Sequence, residues 1–171
     1  MAVKHFDILN HARFLTYSCF KRLPLLEDPA IRGLYVAQLQ QQSARLKFDI
    51  IAYVVMPEHV HLIVVPEDGQ VERVLRGIKQ GFARDMLKRM RDEENPMLGE
   101  LVGPHGKPIF WQRGGGHDRN LRSNDDVREK VAYIHMNPVR RGLVERATDW
   151  AWSSAREYDE GSGMVGVRKS L

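Results

Sequence analysis

"KFDIIAYVVMPEHVHLIVVPEDG", Lys47 to Gly69, holds two apolar runs, Phe48 to Met56 and His59 to Val65, parted only by Pro57 and Glu58. Both are rich in Val, Ile and Tyr, and the second stops at a Pro-Glu-Asp-Gly turn, so the pair reads as two strands of a hairpin. Side chains at i and i+2 share one face of a strand, which turns His59 and His61 the same way and Val60 the other. Two imidazoles converging above a sheet are half of a metal site. Two polar residues at a strand end are the alternative, and nothing local separates the two.

Outward from the hairpin, the elements fall into an order. "FLTYSCF", Phe14 to Phe20, is aromatic and β-favouring and predicts a first strand; Ala30 to Lys47, with Ile31, Leu34, Tyr35, Leu39 and Leu46 spaced along it, predicts a helix. After the hairpin, Val71 to Arg91 predicts a second helix. Asp92 to Lys107 is rich in Gly and Pro and predicts a long loop. "PIFWQR", Pro108 to Arg113, predicts a fourth strand, Gly114 to Gly116 a turn, and "HDRNLR" from His117 a short returning strand. Ser123 stands as N-cap with Asp126 at the capping-box position, so a third helix starts there. The order β-α-β-β-α-β followed by a further helix is the split βαβ pattern of an α+β, ferredoxin-like fold, an antiparallel sheet with helices packed on it. One domain over residues 1–158 and a loosely ordered tail over 159–171 are expected.

Composition narrows the class. The 171 residues are 43% hydrophobic and 28% charged, ordinary for a globular chain, with net charge +4. No window approaches the roughly 18 to 20 apolar residues of a membrane helix, and the start lacks a signal-peptide core, so a cytoplasmic protein is expected. Cys19, the single cysteine, has no disulfide partner and reads as a core residue. The basic bias gathers in the second helix. Seven Lys or Arg stand against Glu72, Asp85 and Asp92, and on a helical wheel Arg73, Arg84, Lys88 and Arg91 oppose Val71, Val74, Leu75, Ile78 and Phe82. That stripe is either a solvated face or a phosphate-binding one.

The third helix carries "YIHMNPVRRGL", Tyr133 to Leu143. If it persists to Asn137, then Tyr133 and Asn137 are i and i+4 and stack on one face. A phenol and an amide oxygen would then be offered to whatever His59 and His61 hold. The chemistry that suits this set is phosphoryl transfer from DNA to tyrosine, in which a metal polarises a phosphate oxygen while Tyr133 attacks phosphorus. A phosphotyrosine diester keeps the energy of the broken bond, so rejoining needs no nucleotide, and no phosphate-cradling GxxxxGK motif is present. Plainer roles compete: Asn137 as the cap of a short turn from Pro138 to Gly142, Tyr133 as an interface aromatic, and Trp150 and Trp152 as core. His135 lies about 200° round the helix from Tyr133, away from such a site.

"YVVMPEHVHLIV", "FWQRGGGHDRNLR", "YIHMNPVRRGLV" and "DWAWSSAREY", in this order, resemble the REP-associated tyrosine transposases, relatives of the insertion-sequence single-strand transposases with a His-hydrophobic-His motif. The resemblance runs from about Phe14 to Tyr158. It implies a ferredoxin-like core, a divalent metal held by His59 and His61 with Asn137 as third ligand or metal-site neighbour, and Tyr133 as nucleophile. It also implies single-stranded DNA beside palindromic hairpins as substrate, cleaved to a 5′-phosphotyrosine. Two imidazoles, an amide oxygen and a phosphodiester favour Mg²⁺ or Mn²⁺. Arg73, Arg84, Lys88, Arg91, Arg119 and Arg122 are the expected DNA contacts, and the sequence is compatible with a homodimer or a monomer. The family pattern has Asn where this chain has Glu58; strand alternation turns Glu58 away from the histidines, so loss of a turn contact is expected rather than loss of metal. A histidine-triad hydrolase would want a third alternating His where Ile63 stands. The competing class is a module that grips hairpin DNA or RNA without cutting it.

Overall fold

The computed structural model describes residues 11–114, 116–161 and 163–168. Its elements are β1 (Ala12–Ser18), α1 (Pro29–Leu46), β2 (Phe48–Val55), β3 (His59–Pro66), α2 (Val71–Asp92), α3 (Met97–Glu100), β4 (His117–Leu121), α4 (Asn124–His135), α5 (Asn137–Arg140) and α6 (Ala155–Glu160), with short 3₁₀ turns at Phe20–Arg22 and Ala147–Asp149. The strands form one antiparallel sheet in the order β2-β3-β1-β4. That is the ferredoxin-like arrangement, with β1 in the middle because the helical crossovers on either side of the hairpin carry the chain back past it.

Alternation along the strands sorts the core into two layers. Leu15 and Tyr17 of β1 and Val60, Leu62 and Val64 of β3 pack under α1 and α2, against Tyr35, Leu39, Val74, Ile78 and Phe82. Phe14, Ile63 and Val65 face the other way, under α4, whose Val127, Val131 and Ile134 recur at i, i+4 and i+7. His59 and His61 belong by parity to this second face. A register shift between Ile50 and Ala52 lets β2 feed both layers, since a bulge reverses which side the following residues face.

The hairpin, α1, α2 and the start of α4 form where the pattern predicts them. Asp28 caps α1 through its side chain to the Ala30 amide at 2.8 Å, and Ser123 caps α4 through the Asp126 amide at 3.1 Å. The capping-box carboxylate of Asp126 reaches one residue further back than expected, to the Arg122 amide at 3.1 Å. The fourth strand is a correction. "PIFWQR" makes isolated bridges, Cys19–Trp111 and Val102–Pro108, and bonds such as Phe20 N to Phe110 O and Gln112 N to Ser18 O, while "HDRNL" occupies the edge beside β1 from Ala12 to Thr16. The aromatic content that suggests a strand instead fills the core: Phe110 and Trp111 pack on Phe82 and Tyr17. Beyond the expected boundary at 158, α6 runs on to Glu160, Val165 is buried in the α1–α2 layer, and the Arg168 amide donates to the Ile50 carbonyl at 2.8 Å while its guanidinium pairs with Asp49. Gly115 of the expected turn, and Ser162 and residues 169–171 of the tail, lie outside the described residues. Among the described residues no helix is long and apolar enough to cross a membrane.

Candidate metal and tyrosine site

His59 and His61 lie side by side on β3, 6% and 5% exposed, with their Nε2 atoms 3.1 Å apart. Each ring is fixed from behind. The His61 Nδ1 shares a hydrogen bond with Thr16 Oγ1 at 2.8 Å, because Thr16 stands opposite it in the β1–β3 register. The His59 Nδ1 meets Glu58 Oε1 at 3.1 Å. A carboxylate can only accept, so the His59 proton sits on Nδ1 and Nε2 presents its lone pair. Burial pushes both imidazoles below their ordinary values and so favours their neutral forms, His59 against the pull of Glu58 and His61 down to about 3.

This pair passes a test for a metal. Nitrogen ligands about 2.1 Å from an ion on adjacent corners of an octahedron stand about 3.0 Å apart, and the observed separation is 3.1 Å. Neutral rings with occupied Nδ1 atoms have the partners that metal-bound histidines have. Among the described residues no group of three or more His, Cys, Asp and Glu gathers to hold an ion.

Tyr133 closes the site from α4. It follows Val131 and precedes Ile134 on the stripe that faces the sheet, which leaves it at the border of the core, 38% exposed. Its ring stands edge-on to His61 at 5.5 Å and to Phe14 at 6.1 Å, and Phe14 stacks on His61 at 5.7 Å. Cations flank the phenol: the Arg140 guanidinium is 4.9 Å from its ring centre and the Lys130 ammonium 5.8 Å. The expected histidines and tyrosine are thus brought together.

Asn137 is buried nearby, but the helix does not run unbroken to it. α4 ends at His135 and α5 begins at Asn137, before Pro138, which has no amide to continue the ladder. The Asn137 side-chain nitrogen donates to the Tyr133 carbonyl at 3.4 Å, which ties Asn137 to the tyrosine, and Met136 stands at the N-cap position of α5. His135 points elsewhere, as expected, bonding Ser154 Oγ at 2.8 Å. Trp150 and Trp152 are core neighbours of the Arg32 guanidinium, 4.8 and 3.9 Å from it.

The expected DNA contacts divide. Arg119 stands opposite Phe14 in the β1–β4 register, on the histidine face, and Arg122 is exposed just beyond β4. Arg73, Arg84, Lys88 and Arg91 lie on α2, across the sheet from the histidines. Three of them face acidic neighbours: Arg73 with Asp68, Arg84 with Asp85 and Lys88 with Asp92. Arg73 and Arg84 also line a groove of about 520 Å³ between α1 and α2, with Arg45, Arg76 and several glutamines.

Glu58 overturns an expectation. It precedes the first residue of β3, so strand alternation does not govern it, and its side chain folds back against His59. Oε1 also accepts from Arg141 Nη1 at 2.5 Å, with Arg22 Nη2 at 3.5 Å. Burial alone would raise this carboxyl; the hydrogen bond and charge of Arg141, with the hydrogen bond from His59, outweigh it and hold it below its ordinary value. Thr16, Phe14 and Arg141 are site residues that pattern reading passes over. Arg141 lies within the quoted "YIHMNPVRRGLV" block, whereas the roles of Thr16 and Phe14 depend on strand register.

Residues 15–115 match the profile described as "Transposase IS200 like", more than half of the chain. The chain belongs to the IS200-like transposase family. The matched stretch includes both histidines and ends before Tyr133. A REP-associated tyrosine transposase of Escherichia coli K12 is 33% identical over 110 residues, 63% of this chain and 54% of that protein. A relative from Haemophilus influenzae is 28% identical over 117 residues, 67% of this chain and 63% of its own length. The alignments therefore span less than two thirds of either relative. A solved REP-associated tyrosine transposase, bound to a REP hairpin, superposes with a TM-score of 0.69 at 24% identity, covering 99% of this chain and 96% of that one, which establishes a shared fold.

Proposed function

We propose that this family member is a metal-dependent enzyme that cleaves and rejoins single-stranded DNA beside palindromic hairpins through a 5′-phosphotyrosine. The observation that carries this reading is the Tyr133 ring 5.5 Å from His61, whose Nε2 is 3.1 Å from that of His59. His59 and His61 would hold the ion, with Asn137 as third ligand, and Mg²⁺ or Mn²⁺ bound there would neutralise charge on the transferred phosphate. Tyr133 Oη attacks phosphorus, the P–O3′ bond breaks, the phenolic proton leaves to solvent and the departing 3′ oxygen takes one up. One diester replaces another, so the reverse reaction rejoins strands. Arg140 and Lys130 bring positive charge beside the nucleophile, where the phosphodiester has to sit.

A hairpin-binding module without catalysis would need neither a paired, neutral imidazole set nor an adjacent phenol. The deciding experiment incubates the protein and its Tyr133→Phe variant with hairpin oligonucleotides carrying single-stranded flanks and Mn²⁺, then resolves covalent adducts on a denaturing gel. Wild type should form an adduct and Tyr133→Phe none, with hairpin affinity unchanged within about threefold, because only the attacking oxygen is lost. Adduct formation by Tyr133→Phe would move the nucleophile elsewhere, and binding without any adduct in wild type would favour the module.

A further inference from the structure

One carboxylate oxygen joins three segments of this chain. Glu58 Oε1 takes the His59 Nδ1–H on β3, the Arg141 guanidinium just beyond α5, and lies 3.5 Å from Arg22 of the turn after β1. Glu58 itself is 7% exposed, and its backbone carbonyl is pinned by the Cys19 amide at 2.8 Å. The acceptor is therefore a fixed point rather than a mobile surface group. Arg141 is equally well placed to transmit position: its amide donates to the Asn137 carbonyl at 3.1 Å, and the Asn137 side chain bonds the Tyr133 carbonyl.

We propose that Glu58 and Arg141 form a clasp that does two things at once: it fixes His59 with its Nε2 lone pair toward His61, and it holds the α4–α5 segment bearing Tyr133 at a set distance from that pair. Both are positioning residues; neither touches the reacting atoms. The second half rests on the tyrosine reading above, the first does not. Without the carboxylate, the His59 Nδ1–H has no acceptor, the ring is free to carry its proton on Nε2, and a ligand is lost. Without Arg141, the ligand remains and the tyrosine segment is released. The two halves of the clasp therefore predict different defects, which a merely structural role for either residue would not produce.

The test compares wild type with Glu58→Ala, Glu58→Gln, Arg141→Ala and the Glu58→Ala/Arg141→Ala double variant. In metal-free protein with ¹⁵N-labelled histidine, the His59 tautomer is read by long-range ¹H–¹⁵N correlation. Wild type and Glu58→Gln should carry the proton on Nδ1, because a Gln oxygen still accepts it, and Glu58→Ala should shift it toward Nε2. Mn²⁺ affinity, measured by loss of the free-ion spin-resonance signal, should fall about 10- to 100-fold in Glu58→Ala and within about threefold in Arg141→Ala. At saturating Mn²⁺, single-turnover adduct formation should fall at least about tenfold in Arg141→Ala, and the double variant should be no slower than Glu58→Ala alone. Amides of residues 139–142 should exchange about tenfold faster in Glu58→Ala and in Arg141→Ala. An unchanged tautomer and Mn²⁺ affinity in Glu58→Ala overturn the first half of the clasp. Wild-type adduct rates in Arg141→Ala overturn the second. If wild type makes no adduct at all, the tyrosine reading has failed, and the tautomer, affinity and exchange measurements still decide the clasp.

Discussion

His135 stands two residues from Tyr133 and turns its back on it, with Nε2 2.8 Å from Ser154 Oγ and its ring 5.0 Å from Tyr158. Burial pushes this imidazole down to about 4, below the roughly 6.5 of an unfolded chain. A folded value below the unfolded one means that the unfolded state binds the proton first, so His135 contributes full stability above about pH 6.5 and loses it as pH falls through 6.5 toward 4. The loss amounts to at most about 3 kcal/mol, an upper bound because the ring is only half-buried. His135→Gln keeps a group able to bond Ser154 and removes the titration. Urea unfolding of metal-free protein at pH 7 and pH 4.5 should show a smaller acid-dependent loss in the variant than in wild type, and equal losses would mean that the imidazole titrates as in the unfolded chain. At this scale, residues on a regular element were legible: parity alone aligned His59 with His61, and the helical angle separated His135 from Tyr133. Glu58 was not, because it belongs to the turn, where no period applies, and its partner Arg141 is 83 residues away.

The elements show the same division between periodic and irregular sequence. α2 buries Val71, Val74, Ile78, Phe82 and Met86 along one side, as its spacing requires, and so presents Arg84 and Lys88 to solvent. "PIFWQR" misled because aromatic residues favour strands and cores alike, and only the competition for the edge of β1, won by "HDRNL", decides between them. The α2 stripe has a definite consequence for binding. It lies across the sheet from the histidines, and its cations face carboxylates at i+1 and i+4 that exposed pairs hold only weakly. If DNA phosphates displace those carboxylates, reversing Arg84 and Lys88 to Glu should weaken hairpin affinity for every sequence alike. The slope of log affinity against log salt should flatten by roughly one to two units, at about 0.7 per single-strand or 0.9 per duplex phosphate. Adduct formation at saturating DNA should be preserved, because the charges lie far from Tyr133. An unchanged salt titration would show that the stripe is a solvated face.

Across the whole molecule, the sheet separates two tasks. One face, under α1 and α2, is a continuous apolar layer; the other packs under α4 and sets the Nε2 pair beside that helix's Tyr133. The pair is preformed in the folded chain, its Nδ1 atoms held by Thr16 and Glu58, and no such convergence survives unfolding. An ion that binds the folded state alone must stabilise it by mass action, about 2.7 kcal/mol at a hundred times its Kd. For a chain of this length each kcal/mol is worth roughly 2–4 °C, so saturating Mn²⁺ should raise Tm by roughly 5–10 °C. His59→Ala and His61→Ala should each remain folded without metal, since the core on both sheet faces is untouched, and should lose most of that rise. Tyr133→Phe should keep it, because the phenol is not a ligand. Thermal scans with and without Mn²⁺ separate these cases, and a wild-type rise in both histidine variants would place the ion elsewhere on the protein and leave His59 and His61 as buried structural imidazoles.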